Sequence, residues 1–230
     1  MKVLSVNVSR TQPLEWDGRV ALTGIFKKPV EGSVRVHSLN LEGDEQADLT
    51  VHGGINKAVY AYPFEHYPFW QKRYPQISFV PGQFGENLTT EGLLETTVHI
   101  GDRFQIGSAI LVAVQPRLPC FKLAGKFRDK NILTAFTDSR RSGIYFAVER
   151  EGELRAGDTI ECIHRDPNQF AIDDAMRLYN AEDLASDVLT NVLKNQVLPD
   201  SWRKRILQVL NAKSGETLDD FSWDRKIDSV

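Results

Sequence analysis

The sequence predicts a mainly β protein, with a closed or nearly closed barrel in its N-terminal two-thirds and a small helical domain after it. Up to about residue 165, short β-prone segments are separated by glycine-rich turns, and almost no long helical pattern lies between them. Beyond Arg165-Asp166-Pro167-Asn168, apolar residues recur at helical spacing. We therefore predict a β-barrel domain over residues 1–165 and a three-helix domain with its tail over residues 166–230.

The predicted strands of the first domain are short runs of alternating or continuous apolar residues bounded by turn residues. They cover residues 3–8, 20–26, 34–39, 58–62, 97–100, 103–106, 109–114, 143–149 and 159–164. Two helical segments interrupt them. Aromatic residues at helical spacing predict a short helix between Phe64 and Tyr74, with Pro68 in its first turn, and a helical turn is expected over residues 132–136.

Three helices are predicted in the second domain. The first covers Ile172 to Tyr179, and Asn180, a good N-cap residue, is expected to begin the second, whose apolar stripe includes Leu184. The third is expected to start at Pro199 and to present Trp202 on its apolar face. Because helices this short have little core of their own, we expect them to dock on the barrel and cover an open end.

The composition excludes several classes of protein. With only two cysteines in 230 residues, a disulfide scaffold is excluded, and a single bridge between Cys120 and Cys162 is the one pairing left open. No N-terminal signal peptide is visible, and no apolar run approaches the roughly 20 residues that span a bilayer. The net charge of −3 gives no overall attraction to nucleic acid or to an anionic membrane. We expect a cytoplasmic protein in a reducing compartment.

Cys120 is the first candidate functional residue. It follows a predicted strand and the segment Gln115-Pro116-Arg117-Leu118-Pro119, where the prolines should end the strand and stiffen a loop. Arg117 and Lys122 flank the thiol, and positive neighbours favour the thiolate, which is the form that attacks an electrophile or binds a metal. The alternative is a small buried cysteine that serves packing alone.

Two segments could bind ions. The acidic side chains of Leu41–Asp48 could hold a divalent cation, although no EF-hand register is present and a solvated loop is the alternative. In His52-Gly53-Gly54-Ile55-Asn56-Lys57, paired glycines could expose backbone N–H groups beside a lysine, which suits an anion such as phosphate. The alternative for this segment is a glycine-rich hairpin turn.

Two further segments could complete a ligand site. The polar pair in Phe84-Gly85-Glu86-Asn87-Leu88 could hydrogen-bond a ligand, or these residues could form only a turn. Arg140-Arg141-Ser142-Gly143 could complete an anion site, or remain a solvated pair of charges. The histidines and cysteines show no zinc spacing, a papain-like signature is absent, and neither a Walker nor a Rossmann glycine pattern occurs.

Taken together, these motifs resemble those of the MOSC domain, named for the C-terminal domain of molybdenum cofactor sulfurases. The resemblance rests on the order and spacing of five of them: Leu41–Asp48, His52-Gly53-Gly54, Phe84–Leu88, Gly101-Asp102 and Gln115–Leu123. It covers nearly the whole chain and is strongest to the YiiM branch, whose members carry a short three-helix domain after the barrel.

The resemblance implies a β-barrel like the one inserted in pyruvate kinase, with molybdopterin bound at one end. Cys120 would be the molybdenum ligand and the catalytic residue, since a soft thiolate suits a thiophilic metal. Positions matching the family motifs would line the pterin pocket, namely His52, Gly53, Gly54, Asn87 and Arg117. We add Lys57, Arg35 and Arg141 as candidate contacts for its phosphate.

Two functions from different classes follow from this resemblance. One is a reductase of N-hydroxylated compounds, such as hydroxylaminopurine-type bases, that receives electrons from a separate flavoprotein reductase. Side chains supply neither the two electrons nor the oxygen acceptor for such a reaction, whereas a metal cofactor supplies both. The other is a sulfur or cofactor carrier that uses a persulfide on Cys120 and catalyses no reduction.

A third hypothesis makes the helical tail a nucleic-acid binder through Arg203-Lys204-Arg205. From Asp166 onward the chain has 8 Lys and Arg against 12 Asp and Glu, a net charge of −4. A DNA-reading module needs a basic face, so this charge disfavours the hypothesis.

Overall fold

A computed structural model of the chain describes residues 1–47 and 53–214, and within these ranges it contains twelve strands, six α-helices and two short 3₁₀ helices. The strands are β1 (Lys2–Val8), β2 (Gln12–Trp16), β3 (Arg19–Thr23), β4 (Lys28–Pro29), β5 (Val34–Val36), β6 (Val59–Pro63), β7 (Leu88–Glu91), β8 (Arg103–Ile106), β9 (Ala109–Pro116), β10 (Ile144–Arg150), β11 (Gly152–Leu154) and β12 (Ile160–His164). The helices are α1 (Tyr67–Arg73), α2 (Phe121–Phe127), α3 (Asn131–Ser139), α4 (Ile172–Tyr179), α5 (Ser186–Val192) and α6 (Asp200–Ser214).

Eight strands form one mixed sheet in the order β12-β8-β9-β10-β6-β7-β1-β4, in which β6 and β7 are the parallel pair. The sheet closes on itself because the start of β1 bonds to the segment that leads into β12. Val3 N donates to Asp158 O at 2.9 Å, and Ile160 N donates to Met1 O at 2.9 Å. This closure confirms the predicted barrel and removes most of its free edge.

One predicted strand is wrong, and four observed strands, β2, β4, β7 and β11, were not predicted. Residues 97–100 do not join the sheet, because their backbone pairs with the start of α4 instead. Ile100 N donates to Phe170 O at 2.9 Å, and Ile172 N donates to Val98 O at 3.0 Å. The hairpin of β2 and β3 includes a strand over residues 12–16 that the sequence pattern did not predict.

Helix α2 was also not predicted. Five of its seven residues are buried, so it lacks the polar face that makes a helix visible as a periodic pattern. It packs so closely on β2 that a Cβ at Gly125 would lie 2.8 Å from a methyl carbon of Leu14. The short helix predicted near Tyr74 is confirmed as α1, with Pro68 in its first turn.

The three C-terminal helices dock on the barrel as expected. Residues of all three belong to the same hydrophobic core as the barrel strands, among them Ile172, Leu189 and Trp202. The division at residue 165 stays a prediction, although the two parts share this core. Asn180 ends α4 rather than beginning the next helix, since its N–H donates to Met176 O at 2.9 Å.

The buried carboxylate of Asp102 joins the helical part to the barrel. It accepts from Asp166 N at 2.8 Å and from Arg165 Nη1 at 2.6 Å. Gly101 before it has φ +98°, and a Cβ there would lie 2.5 Å from Asp166 Oδ2. Close docking of the helical part therefore explains why a glycine stands at position 101 and a buried carboxylate at position 102.

A second core, rich in aromatic rings, lies under α1, α2 and α3. Its centre is Phe84, whose ring centroid lies 4.3 Å from that of Tyr62. This core holds the loop that leads into β7, and that loop forms one wall of the cleft described next. In the described part of the chain no helix is both long and apolar enough to cross a bilayer.

Candidate functional site

A cleft lies between the loop after β9, the segment after β3 and the loop before β7. It encloses about 640 Å³, part of which is open to solvent. Four residues that the sequence predicted as site residues line it: Lys57, Asn87, Arg117 and Cys120. The other lining residues are Thr23, Gly24, Ile25, Lys27, Asp44, Glu45, Gln46, Ala47, Tyr60, Gly85, Leu118, Lys122 and Tyr145. The fold therefore brings four separate motifs of the sequence to one place.

Cys120 lies at the junction between β9 and α2. The strand ends at Pro116, as predicted, and Cys120 itself is extended, with φ −135° and ψ 171°, immediately before the first helical residue. Its side chain is half-buried, and neither it nor Cys162 forms a disulfide. Its carbonyl accepts from Leu123 N at 2.9 Å. The thiol therefore sits on a backbone held by a strand on one side and a helix on the other.

Arg117 supplies a buried positive charge beside Cys120. Its guanidinium donates to the carbonyl of Phe84 and lies 5.0 Å from the ring centroid of Tyr60. Burial acts to lower the pKa of Arg117, but Tyr60, Tyr145 and Cys120 act to raise it and prevail. Arg117 is therefore a permanent cation whose interactions include the Cys120 sulfur.

Asp44 is the centre of a polar network in the wall of the cleft. One carboxylate oxygen accepts from Lys27 Nζ and from Ser9 N, the latter at 2.9 Å, and the other accepts from Asn87 Nδ2 at 2.9 Å. Burial lowers the pKa of Lys27, and its contact with Asp44 opposes that shift. Lys27 and Asp44 thus form a buried ion pair, in which the carboxylate also accepts from two other donors.

Asn87 has both ends of its amide engaged by the protein. Besides its bond to Asp44, its Oδ1 accepts from Tyr60 N at 3.1 Å. The resemblance implied a contact between Asn87 and the pterin. In the structure Asn87 does line the cleft, and its side chain ties β6, the loop before β7 and the acidic segment together.

Glu86 points away from the cleft into the aromatic core. Its carboxylate accepts from Gly82 N at 2.8 Å, Phe84 N at 2.9 Å, Thr89 Oγ1 at 2.9 Å and the hydroxyl of Tyr67. Four donors around a fully buried carboxylate make it a centre that organises this loop. Both side chains of the Glu86-Asn87 pair therefore hydrogen-bond to other groups of the protein.

The lining residues carry more positive than negative charge. Four of those lining residues are cations, namely Lys27, Lys57, Arg117 and Lys122, against the carboxylates of Asp44 and Glu45. Lys27 is neutralised by Asp44, and Glu45 accepts two hydrogen bonds from Thr11. The cleft therefore favours an anionic ligand.

Two tyrosines complete the cleft next to Arg117. Burial raises the pKa of Tyr60 and of Tyr145, so both remain protonated at neutral pH. Tyr60 donates its hydroxyl proton to Ser142 O at 2.7 Å, and its ring centroid lies 4.9 Å from that of Tyr145. Tyr145 is therefore the phenol available at this wall to donate a hydrogen bond to a ligand.

Arg35 and Arg141 lie outside the cleft, contrary to our assignment of them to a phosphate. Arg35 is exposed on β5, opposite Glu153 of β11. Arg141 stacks on Phe69, with its guanidinium carbon 4.0 Å from the ring centroid, in a separate open groove beside α3. Neither arginine is among the residues that line the cleft.

The structure describes residues 53–57 of the glycine motif His52–Lys57. Gly53 and Gly54 are half-buried and precede a 3₁₀ turn, Ile55–Lys57, in which Lys57 N donates to Gly54 O at 3.0 Å. They do not line the cleft, whereas Lys57 does. His52 and Asp48 fall outside the described residues.

In the acidic segment, the described carboxylates of Asp44 and Glu45 contact protein donors and do not converge on a metal site. Asp44 and Glu45 are bonded to protein donors, and residues 1–47 and 53–214 hold no group of three or more His, Cys, Asp or Glu side chains arranged for a metal ion. The cation-binding hypothesis is therefore unsupported there. The solvated-loop alternative is also wrong for Asp44, which is buried.

Sequence reasoning missed Lys122, Tyr145 and Lys27 as lining residues. Lys122 was considered only as a neighbour of the thiol, yet its buried side chain borders the cleft itself. Its position two residues after Cys120 was the available signal. Tyr145 lies in a strand pattern, and nothing local distinguishes it from a core residue.

Comparisons with known proteins give consistent matches. The family model described as the MOSC domain matches residues 48–161. The uncharacterised protein YflK of Bacillus subtilis is 39% identical over 208 residues, which cover 90% of this chain and 93% of YflK. The protein YiiM of Escherichia coli is 39% identical over 145 residues, covering 62% of this chain and 65% of YiiM. A protein of Gibberella moniliformis named "Reductase" is 30% identical over 190 residues, 81% of this chain and 34% of that protein.

The fold is also similar to that of a solved structure. The crystal structure of YiiM from Geobacillus stearothermophilus superposes with a TM-score of 0.75 and 31% sequence identity, covering 91% of this chain and 98% of that one. Because the match covers 91% of this chain, it extends over both the barrel and the C-terminal helices.

Proposed function

Because this chain belongs to the MOSC domain family and is of the YiiM type, we propose that it is a molybdenum-cofactor-dependent reductase of N-hydroxylated compounds, acting in the cytoplasm. The observation that carries this proposal is the position of Cys120, half-buried on a rigid backbone in a cleft with excess positive charge. The similarity to a fungal protein named "Reductase" supports a redox role.

The donor set of the cleft fits such a cofactor. Cys120 offers one soft ligand, and the carboxylates that line the cleft are already bonded to the protein. Within the described ranges a metal at Cys120 would therefore take its remaining ligands from the cofactor. Molybdopterin carries a dithiolene and a phosphate, and the cations of the cleft suit its negative charge.

Each residue of the chain has a definite part in this proposal. Cys120 would hold the metal through its thiolate, and Arg117 would stabilise negative charge at that sulfur. Lys57 would keep the contact with the phosphate that we first gave it. Lys122 would contact the anionic part of the cofactor in place of Arg35 and Arg141. Tyr145 would donate a hydrogen bond to the bound ligand from its protonated hydroxyl.

The reaction balances as R–NH–OH + 2 H⁺ + 2 e⁻ → R–NH₂ + H₂O. When bound, the cofactor supplies the centre that accepts the oxygen atom and delivers the two electrons, which a separate flavoprotein reductase replaces. The chain would position the substrate, supply fixed positive charge and limit access of water through the aromatic rings of Tyr60 and Tyr145. Hydroxylaminopurine-type bases are the proposed substrates.

The proposal is tested by metal and pterin analysis of protein made in a host with an intact molybdenum-cofactor pathway. We expect stoichiometric molybdenum in the parent protein, and loss of both bound molybdenum and N-hydroxy reduction in Cys120→Ala. Full activity in Cys120→Ala would refute the role of the thiol. Sulfane sulfur on Cys120 without stoichiometric molybdenum would instead support the carrier function.

Nucleic-acid binding is not part of the proposal. Arg203, the first residue of the basic triplet, donates through its guanidinium to the carbonyls of Leu193 and Asn195, the latter at 2.8 Å. Its side chain therefore ties α6 to the preceding loop, which leaves it poorly placed to contact a phosphate backbone.

A further inference from the structure

The side chain of Gln115 connects the last helix to the cleft. Its Oε1 accepts from the indole Nε1 of Trp202 on α6 at 3.2 Å, and its Nε2 donates to the carbonyl oxygen of Asn56 at 3.0 Å. Trp202 is 2% exposed and Gln115 is 7% exposed, so the bond between them is buried, and the bond to Asn56 is partly buried. One amide therefore joins a helix, a barrel strand and a loop.

The two partners permit only one orientation of that amide. An indole N–H can only donate, and a backbone carbonyl can only accept. Trp202 therefore requires the amide oxygen to face α6, which directs the amide nitrogen toward Asn56. If the indole N–H were removed, the Asn56 carbonyl would still require the amide nitrogen, but the amide oxygen would lose its donor and the connection to α6 would be lost.

Both loops held by this amide carry lining residues of the cleft. Gln115 is followed by Pro116, Arg117 and, at the end of the same loop, Cys120. Asn56 is followed directly by Lys57. Leu118 in the first loop also packs against the core cluster to which Trp202 belongs. The amide thus sets the relative position of the thiol and a lysine of the cleft.

We propose that Trp202 is a positioning residue of the candidate site, which acts through Gln115 to hold the Cys120 loop and the Lys57 turn in register. The C-terminal helices then help to set the geometry of the cleft, in addition to covering the barrel. The proposal rests on the proposed function only in taking the Cys120 thiolate as the functional group of the cleft.

The test measures the reactivity of Cys120 in full-length protein without cofactor. In a Cys162→Ser background Cys120 is the remaining thiol of the sequence, and its alkylation rate by iodoacetamide is followed as a function of pH. We expect Trp202→Phe, which keeps an aromatic ring but loses the N–H, to lower the rate at neutral pH about fivefold, because the nearby positive charges stabilise the thiolate less well once the loops separate. The pH of half-maximal rate should rise.

Two further variants separate positioning from loss of packing. Gln115→Met keeps the length of the side chain, adds no charge and loses both the acceptor for Trp202 and the donor to Asn56, so it should lower the rate to a similar extent. The double variant should be no slower than the slower single variant, because both changes break the same connection. Ile206→Val removes one methyl group from the same buried helix face and should leave the rate unchanged.

Equal rates in Trp202→Phe and the parent would overturn the proposal, as would fully additive effects in the double variant. If Trp202→Phe does not fold, the comparison of Gln115→Met with Ile206→Val decides, and equal rates in those two would also overturn it. Because the assay contains neither molybdenum nor substrate, a negative result leaves the reductase proposal standing. Failure of the reductase proposal likewise leaves this result interpretable.

Discussion

Asn87 donates through Nδ2 to Asp44 at 2.9 Å, and this bond closes the wall of the cleft around a buried Lys27–Asp44 ion pair. The carboxylate of Asp44 would be left short of a donor without it, and the N–H of Tyr60 would lose its acceptor. Asn87 is therefore first a stabilising residue, and any contribution to ligand binding depends on the wall that it completes.

Replacement of Asn87 by leucine should destabilise the protein strongly. We expect the free energy of unfolding to fall by about 2–4 kcal/mol, because two buried polar groups lose their partners. Urea denaturation monitored by circular dichroism measures this. Asn191→Leu on the exposed face of α5 is the control and should change stability by less than about 0.5 kcal/mol. A neutral result for Asn87→Leu would contradict the structural role.

Glu86→Gln should also be destabilising, although it changes only one atom. The carboxylate accepts from four donors, whereas an amide nitrogen cannot accept and would face N–H and O–H groups. We expect a loss of about 2–4 kcal/mol in the free energy of unfolding, measured by chemical denaturation. The matched control is Glu91→Gln on the exposed end of β7, which should be nearly neutral. Equal stability of the two variants would show that Glu86 does not organise its loop.

Lys126 should make the stability of the protein depend on pH. Burial, reinforced by Arg117 and Lys27, lowers the pKa of Lys126 from 10.5 to about 7. Between these values the unfolded chain binds more protons than the folded protein, so the free energy of unfolding rises with pH over this window, by at most about 1.4 kcal/mol per pH unit. Below pH 7 the full penalty of charging the buried amine remains.

Lys126→Met should flatten this pH dependence, and it should do so even if the lost bonds to Ile25 O and Gly82 O lower stability at every pH. The exposed Lys72→Met is the control and should keep the slope of the parent. The measurement is urea denaturation across the window from pH 7 to pH 10.5. An unchanged slope in Lys126→Met would contradict the shift.

The cations at the cleft should matter for cofactor binding, and the two distant arginines should not. Lys122→Gln is expected to reduce the affinity for molybdopterin about tenfold, because a charge-assisted hydrogen bond to the phosphate is lost. Arg35→Gln and Arg141→Gln should retain the affinity of the parent. Pterin content after dialysis, measured by fluorescence of the oxidised product, compares the variants. A larger loss in Arg141→Gln than in Lys122→Gln would restore the original assignment.

The sequence was most informative where local patterns are enough. Alternating strands, glycine turns and the helical spacing after residue 165 predicted the barrel and its attached helices, because each element carries its own periodicity. Helix α2 was missed because burial on most sides erases that periodicity, and residues 97–100 were misassigned because their partner is a segment some 70 residues away. Asn180 was a reasonable cap by residue type, but α4 continues to it.

The sequence alone determined that Cys120 follows a strand on a proline-stiffened loop between two cations, since neighbours in the chain are neighbours in space. Only the tertiary structure decided which other charges reach that thiol. It brought Lys57 to the cleft, left Arg35 and Arg141 outside it, and bonded the side chains of Asn87 and Glu86 to the protein itself. It also connected Trp202 to the loop of Cys120 through Gln115. Such contacts depend on how distant segments pack around a shared core, and no local spacing encodes them.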